Sequence, residues 1–157
     1  MRAPTVVRNL FRVAIPAALL VVAGCTGAPG GSAGTGNTSV FDLSNGQCFN
    51  AVSEDVVDEV EVVACGQAHQ YEIYLTVDYD AGSGAAYPGD ATITDFSEDT
   101  CRTRFETFVG RGYEESELFI YYLQPSDSSW GDGDREVVCS LYLPDEQLTG
   151  SMENSGR

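Results

Sequence analysis

The first 25 residues decide the compartment, and the compartment decides which cross-links can hold the rest of the chain. Arg2, Arg8 and Arg12 stand there without any acidic residue. A run from Val13 to Val22 follows, apolar apart from Pro16 in its conformational effect, and the segment ends in Ala23, Gly24 and Cys25. A basic leader, a short apolar stretch and small residues at its end form an export signal. The stretch is about ten residues, roughly half of what a helix needs to cross a bilayer. Export implies oxidising surroundings, where cysteines pair.

The tetrad Val22-Ala-Gly-Cys25 resembles the bacterial lipobox. In that motif the thiol of the cysteine receives a diacylglyceryl group and becomes the new N-terminus. The expectation is a signal peptide over 1–24 and lipid on Cys25, with the domain on the outer face of the cytoplasmic membrane. Two alternatives are an ordinary cleaved signal and an uncleaved anchor, the latter disfavoured by the short apolar run. Each buried CH2 contributes about 0.8 kcal/mol, so two acyl chains hold where one is marginal. After Cys25, residues 26–39 continue in Gly, Ser, Thr, Ala and Pro with a single Asn37, and the expected linker is 25–39. That composition predicts a flexible linker with a reach on the order of 20 Å.

One folded domain is expected over 40–150, long enough for a single core, with a frayed tail over 151–157. Lipid on Cys25 leaves Cys48, Cys65, Cys101 and Cys139. Four cysteines admit three pairings; Cys48–Cys65 and Cys101–Cys139 are favoured. The first closes a hairpin-like segment. In the second, Cys101 lies with Phe105 and Phe108 on one helical face, and Cys139 alternates with Val137 and Leu141 on one strand face. Each bridge should add about 3 kcal/mol. A zinc site would call for closely spaced cysteines or clustered histidines, and neither occurs, so no metal or cofactor is expected.

The chain holds 8 basic residues, all arginine, against 24 acidic ones, for a net charge of −16. With the three leader arginines removed the imbalance deepens. Such a charge excludes nucleic acid, whose phosphates need Lys and Arg. It also keeps the domain off anionic headgroups, and it serves solubility.

Alternation places Tyr71, Ile73, Leu75, Val77 and Tyr79 on one strand face, with Glu72, Thr76 and Asp78 on the other. A helix is expected over about 91–109, with Asp90 as N-cap, Gly110 just past its end and a Glu98–Arg102 pair on its surface. Further strands are expected over 60–65, over 118–123, over 136–143 and over 147–152. The run Leu118 to Leu123 is apolar on both faces and so reads as central. Residues 125–134 read as a loop. The fold class is therefore α+β: an antiparallel sheet of four to five strands, one helix packed on a face, and two disulfides.

An ordered set of short motifs adds to this. Gly46-Gln-Cys-Phe-Asn50, Val63-Ala-Cys-Gly-Gln-Ala-His69, Tyr87-Pro-Gly89, Phe105-Glu-Thr-Phe-Val-Gly110, Ser129-Trp130, Gly133-Asp-Arg-Glu-Val-Val-Cys139 and Leu148-Thr-Gly-Ser151 occur in this order. Together they resemble the septum formation family of actinobacterial exported and membrane-anchored proteins. The resemblance implies two disulfides and a link to division or envelope growth. It supplies no catalytic residue. Many members carry transmembrane segments where this chain has a lipobox.

Candidate chemistry is sparse. His69 is the sole histidine; a triad would need Ser and Asp beside it, and no G-x-S-x-G elbow occurs. The segment Asp127 to Asp134 is calcium-like in composition, but the twelfth position counted from Asp127 is Val138 and not the Glu of an EF-hand. Glu114, Glu115 and Glu117 offer paired acids of the glycosidase type, in a stretch that reads as surface. Trp130, with Asp134 and Arg135 near it, reads as a binding hot spot or as a core anchor with Arg stacked on it. His69, Trp130, Asp134 and Arg135 are the candidate binding surface.

The leading expectation is a non-enzymatic surface lipoprotein. Membrane attachment would be through Cys25, partners would be envelope proteins, and its task would be binding or organising during growth or septum formation. The alternatives are an extracytoplasmic ligand or calcium receptor, and a cell-wall hydrolase using His69. The oligomeric state is left open.

Overall fold

The computed structural model describes residues 35–52, 58–82 and 84–157. The expected signal, Cys25 and most of the linker lie outside the described residues. The elements run β1 (Gly36–Ser39), β2 (Cys48–Ala51), β3 (Glu59–Val63), β4 (Ala68–His69), β5 (Tyr71–Asp78), α1 (Asp90–Val109), β6 (Phe119–Leu123), α2 (Asp127–Gly131), β7 (Glu136–Tyr142) and β8 (Leu148–Thr149). Six strands form one sheet in the order β1-β3-β2-β5-β7-β6, and β4 pairs with β8 in a second. The pairings are antiparallel. The fold is α+β as expected, with more strands in the main sheet than the four to five counted from the sequence.

The long helix α1 forms because its apolar and small residues recur every fourth position. Ile93, Ser97, Cys101, Phe105 and Val109 make one buried row, the spacing that keeps side chains on a single helical face. Full burial of a side chain such as Phe105 contributes about 1.5–3 kcal/mol. Gly110 stops the helix in the left-handed conformation, φ 81°, with its N–H on the carbonyl of Glu106, a position that suits glycine. Asp90, expected as the N-cap, instead lies in the first turn, where its carboxylate accepts from the Tyr87 hydroxyl at 2.7 Å. The expected Glu98–Arg102 pair does not form. Arg102 turns to Glu114 and lies over the Tyr113 ring, and Glu98 accepts from the Tyr122 hydroxyl.

The disulfide Cys101–Cys139 fastens α1 to β7 with Cα atoms 5.5 Å apart, and Cys48–Cys65 joins β2 to the segment after β3 at 5.2 Å. These are the pairings the residue patterns favoured. Tyr74 adds a third tie between helix and sheet, its hydroxyl donating to the Cys101 carbonyl at 2.9 Å.

β5 departs from simple alternation. Ile73 pairs with Ser140 and Leu75 with Cys139, so a bulge falls between them. An extra residue reverses which face the following side chains take. Ile73 therefore packs with Phe49, Val60, Val62 and Val138 on the face away from the helix. Tyr74, Leu75 and Val77 join Cys101, Phe105 and Cys139 under it. Glu72, expected in solvent, is 1 % exposed.

β6, expected to be central, is an edge strand. Its two apolar faces have another cause: Ile120 and Tyr122 lean on the helix-side core, while Phe119 and Tyr121 join an aromatic row with Tyr142 and Tyr71. β7 is the strand buried throughout, from Val137 to Leu141.

Two expectations about the ends of the domain change. Residues 36–39, assigned to the linker, pair with β3 as an edge strand. The tail over 151–157 is docked, not frayed. Asn154 and Gly156 donate their N–H groups to the carbonyls of Phe108 and Val109 at 2.7 and 2.8 Å, Met152 is buried, and Arg157 pairs with Glu117. The carbonyls at the end of α1, which lack partners within the helix, are satisfied by this tail.

Candidate functional site

The four residues proposed as one binding surface fall at opposite ends of β5. Trp130, Asp134 and Arg135 gather beyond Asp78, whereas His69 lies just before Tyr71.

At the Asp78 end, the stretch expected as loop contains α2, started by a reciprocal cap between Ser126 and Ser129, a pattern that supplies partners for unpaired N–H groups of a first turn. α2 carries Trp130 inward. The indole is 5 % exposed, donates to the Ala85 carbonyl at 2.9 Å and meets Tyr79 and Tyr87 edge-on. The Arg135 guanidinium lies 3.5 Å from the ring centroid and donates to the Trp130 carbonyl. Trp130 is thus a core anchor with a cation on its face. Asp134 is committed to its own turn, accepting from the Ser129 hydroxyl at 2.8 Å and the Glu136 N–H at 3.0 Å.

Beside this stack opens a cleft of about 650 Å3. Its wall carries Asp58, Asp78, Asp132, Asp134 and Glu136, with Arg135 between them and Phe41 at the rim. Phe41 is 63 % exposed. Burial pushes the Glu136 carboxyl up from its ordinary value; a hydrogen bond with Thr76 opposes this, and the charges of Asp78 and Asp134 add to it. Near the same loop the Tyr87 hydroxyl is pushed up to about 12, first by its hydrogen bond to Asp90. Asp58, Asp78 and Glu136 were not singled out in the sequence. Their gathering depends on strand register, and only the excess of acid hinted at it.

At the Tyr71 end the chemistry is sealed. His69 is fully buried. Its Nδ1 lies 2.8 Å from the Gln67 carbonyl; a carbonyl only accepts, so Nδ1 carries the proton. Nε2 then faces inward without a partner, and a buried polar atom left so costs about 1–3 kcal/mol. Glu72 accepts from the Ser151 hydroxyl and, at 2.6 Å, from the Met152 N–H. Neither ion pair among the described residues involves it. The Cys48 sulfur completes a group in which one donor atom from each of Cys48, His69 and Glu72 lies within 4.8 Å of the others. Sequence reading missed this cluster because its members come from three strands at irregular spacing.

Glu114 and Glu117, weighed as glycosidase acids, stand in exposed ion pairs with Arg102 and Arg157. Among the described residues no helix is long and apolar enough to cross a membrane.

Comparison with known proteins decides the family. The septum formation profile matches residues 45–157, which hold both disulfides, the sealed cluster and most of the acidic cleft. The chain belongs to the septum formation family. Two relatives are uncharacterized membrane proteins of Mycobacterium tuberculosis, from strains CDC 1551 / Oshkosh and ATCC 25618 / H37Rv. Each is 26 % identical over 116 residues, covering 69 % of this chain and 26 % of the relative. The chain thus matches about a quarter of the length of these curated relatives. No solved structure matches it.

Proposed function

We propose that this member of the septum formation family is a lipid-anchored, extracytoplasmic domain. It binds or organises envelope proteins during growth or septum formation and catalyses no reaction of its own. The observation that carries the reading is the separation of the two ends of β5. The sole histidine is shut from solvent, while the open cleft presents carboxylates and an exposed phenylalanine. A surface of that kind suits a basic protein face with an apolar contact at its edge. The membrane-protein names of the relatives and the lipobox support a place at the membrane.

Crosslinking in cells followed by affinity purification tests it. The expected result is recovery of an extracytoplasmic protein, weakened at least tenfold in Asp58→Asn/Asp78→Asn. Release of soluble fragments from cell-wall glycan by the purified chain, lost in His69→Ala, would overturn it in favour of a hydrolase. Cys25→Ala should leave the protein unprocessed or release it to the medium; its recovery as a lipidated mature form would remove the anchor from the proposal.

A further inference from the structure

We infer that Cys48, Cys65, His69 and Glu72 form a zinc site that the Cys48–Cys65 disulfide masks, so that reduction of this bridge converts a cross-link into a metal centre. The inference stands independently of the binding role proposed above.

The geometry begins with His69. It is fully buried, its Nδ1–H is held by the Gln67 carbonyl, its Nε2 is buried without a hydrogen-bond partner, and one of its ring nitrogens lies within 4.8 Å of donor atoms of Cys48 and Glu72. An imidazole oriented by a backbone carbonyl with its other nitrogen free is the arrangement of a metal-binding histidine. Glu72 sits 1 % exposed, its oxygens steadied by Ser151 and the Met152 N–H. Such hydrogen bonds position a ligating carboxylate. The Cys48 sulfur is within 4.8 Å of both, and Cys65 is bonded to it. Zinc bonds of about 2.0–2.3 Å in a tetrahedron put neighbouring donor atoms roughly 3.3–3.8 Å apart. The Cys48, His69 and Glu72 donors therefore need to close by at most about 1 Å, and Cys65, released from Cys48, has to swing in as the fourth ligand. Two thiolates, one imidazole and one carboxylate are a donor set that zinc accepts.

The chemistry balances with a dithiol as reductant. A thiolate of the dithiol attacks the sulfur of Cys65, the less buried residue of the pair, and the S–S bond breaks with Cys48 leaving as thiolate. The second thiol of the donor then displaces Cys65, leaving the donor oxidised to its own disulfide. Zinc binding afterwards releases any proton that either cysteine has taken up. Cys101–Cys139 lies wholly buried under α1, so the two bridges differ in their exposure to a reductant.

The test uses the full chain purified in detergent, oxidised or reduced with a phosphine, titrated with zinc against a chromophoric chelator and with cobalt by absorption. The reduced chain should bind one zinc, at least roughly 100-fold more tightly than the oxidised chain, and cobalt should show a thiolate charge-transfer band. His69→Gln and Cys48→Ser/Cys65→Ser should each weaken zinc roughly 10–100-fold. The serine variant retains Cys25, Cys101 and Cys139, so it measures binding elsewhere. Equal affinity in either variant, no gain on reduction, or binding only with loss of the β-sheet circular dichroism signal would overturn the assignment.

Discussion

At the Tyr71 end of β5 a histidine, a carboxylate and a sulfur are closed off from water; at the Asp78 end carboxylates crowd a cleft beside a cation stacked on an indole. The residue types are similar and the treatment is opposite. The difference comes from what covers each end. Residues 151 and 152 fold back on Glu72 and supply N–H and O–H donors, replacing the water the carboxylate loses. At the Asp78 end Glu136 has a hydrogen bond with Thr76, and the charges of Asp78 and Asp134 that oppose its ionisation face an open cleft. Buried polar groups in this fold are therefore costly to disturb, and exposed ones are cheap to change.

Mutations sharpen that contrast in descending order. Cys48→Ala/Cys65→Ala frees a chain segment closed at a sequence separation of 17 and should cost about 3 kcal/mol in urea unfolding. Glu72→Gln leaves one acceptor oxygen for two donors and should cost about 1–3 kcal/mol by the same measurement. A loss below that range would erase the distinction between the two ends. Arg135→Ala uncovers the Trp130 ring and should cost about 1–2 kcal/mol, with a red-shifted tryptophan emission reporting the new exposure.

Glu136→Gln should have the smallest effect and the opposite sign. Its carboxyl value is raised in the folded state, so the native state holds the proton more firmly than the unfolded chain. Stability is greatest below the unfolded value and declines as pH rises through the folded one. The variant should melt slightly higher than the parent at neutral pH, by well under about 1 kcal/mol after solvent screening. The difference should vanish in acid below the ordinary carboxylate range. A melting-temperature series across pH checks both statements.

Much of the scaffold was legible because its signals are local. The row Ile93, Cys101, Phe105 and Val109 announces the helix, and the shared orientation of Cys101 and Cys139 indicates their bridge. What escaped depends on contacts made elsewhere. β1 is Gly-Asn-Thr-Ser, a sequence with no apolar pattern, and it exists as a strand because β3 offers a free edge. The bulge at Ile73 and Leu75 changes faces without any glycine or proline to mark it. The apolar run of β6 suggested a central strand, yet aromatic neighbours, not flanking strands on both sides, cover its second face. Of the proposed binding surface, Trp130, Asp134 and Arg135 were neighbours already in sequence. His69 belonged to a cluster that only strand order assembles.

The weak edge strand has a mechanical consequence. A pull delivered through the residues before Gly36 meets β1 first, where four residues are held on one side by the ladder to β3. Beyond it lie the 3-10 turn Val40–Asp42, the buried Leu43 and the backbone hydrogen bonds of Gly46 and Gln47 to Ile73 before the force arrives at Cys48. There the covalent bridge carries tension straight to Cys65 and spares β2 and β3 from extension. The fold thus has a sacrificial first strand ahead of a hard stop, so that a pull on Gly36 would add a fixed length of chain and leave the acidic module standing.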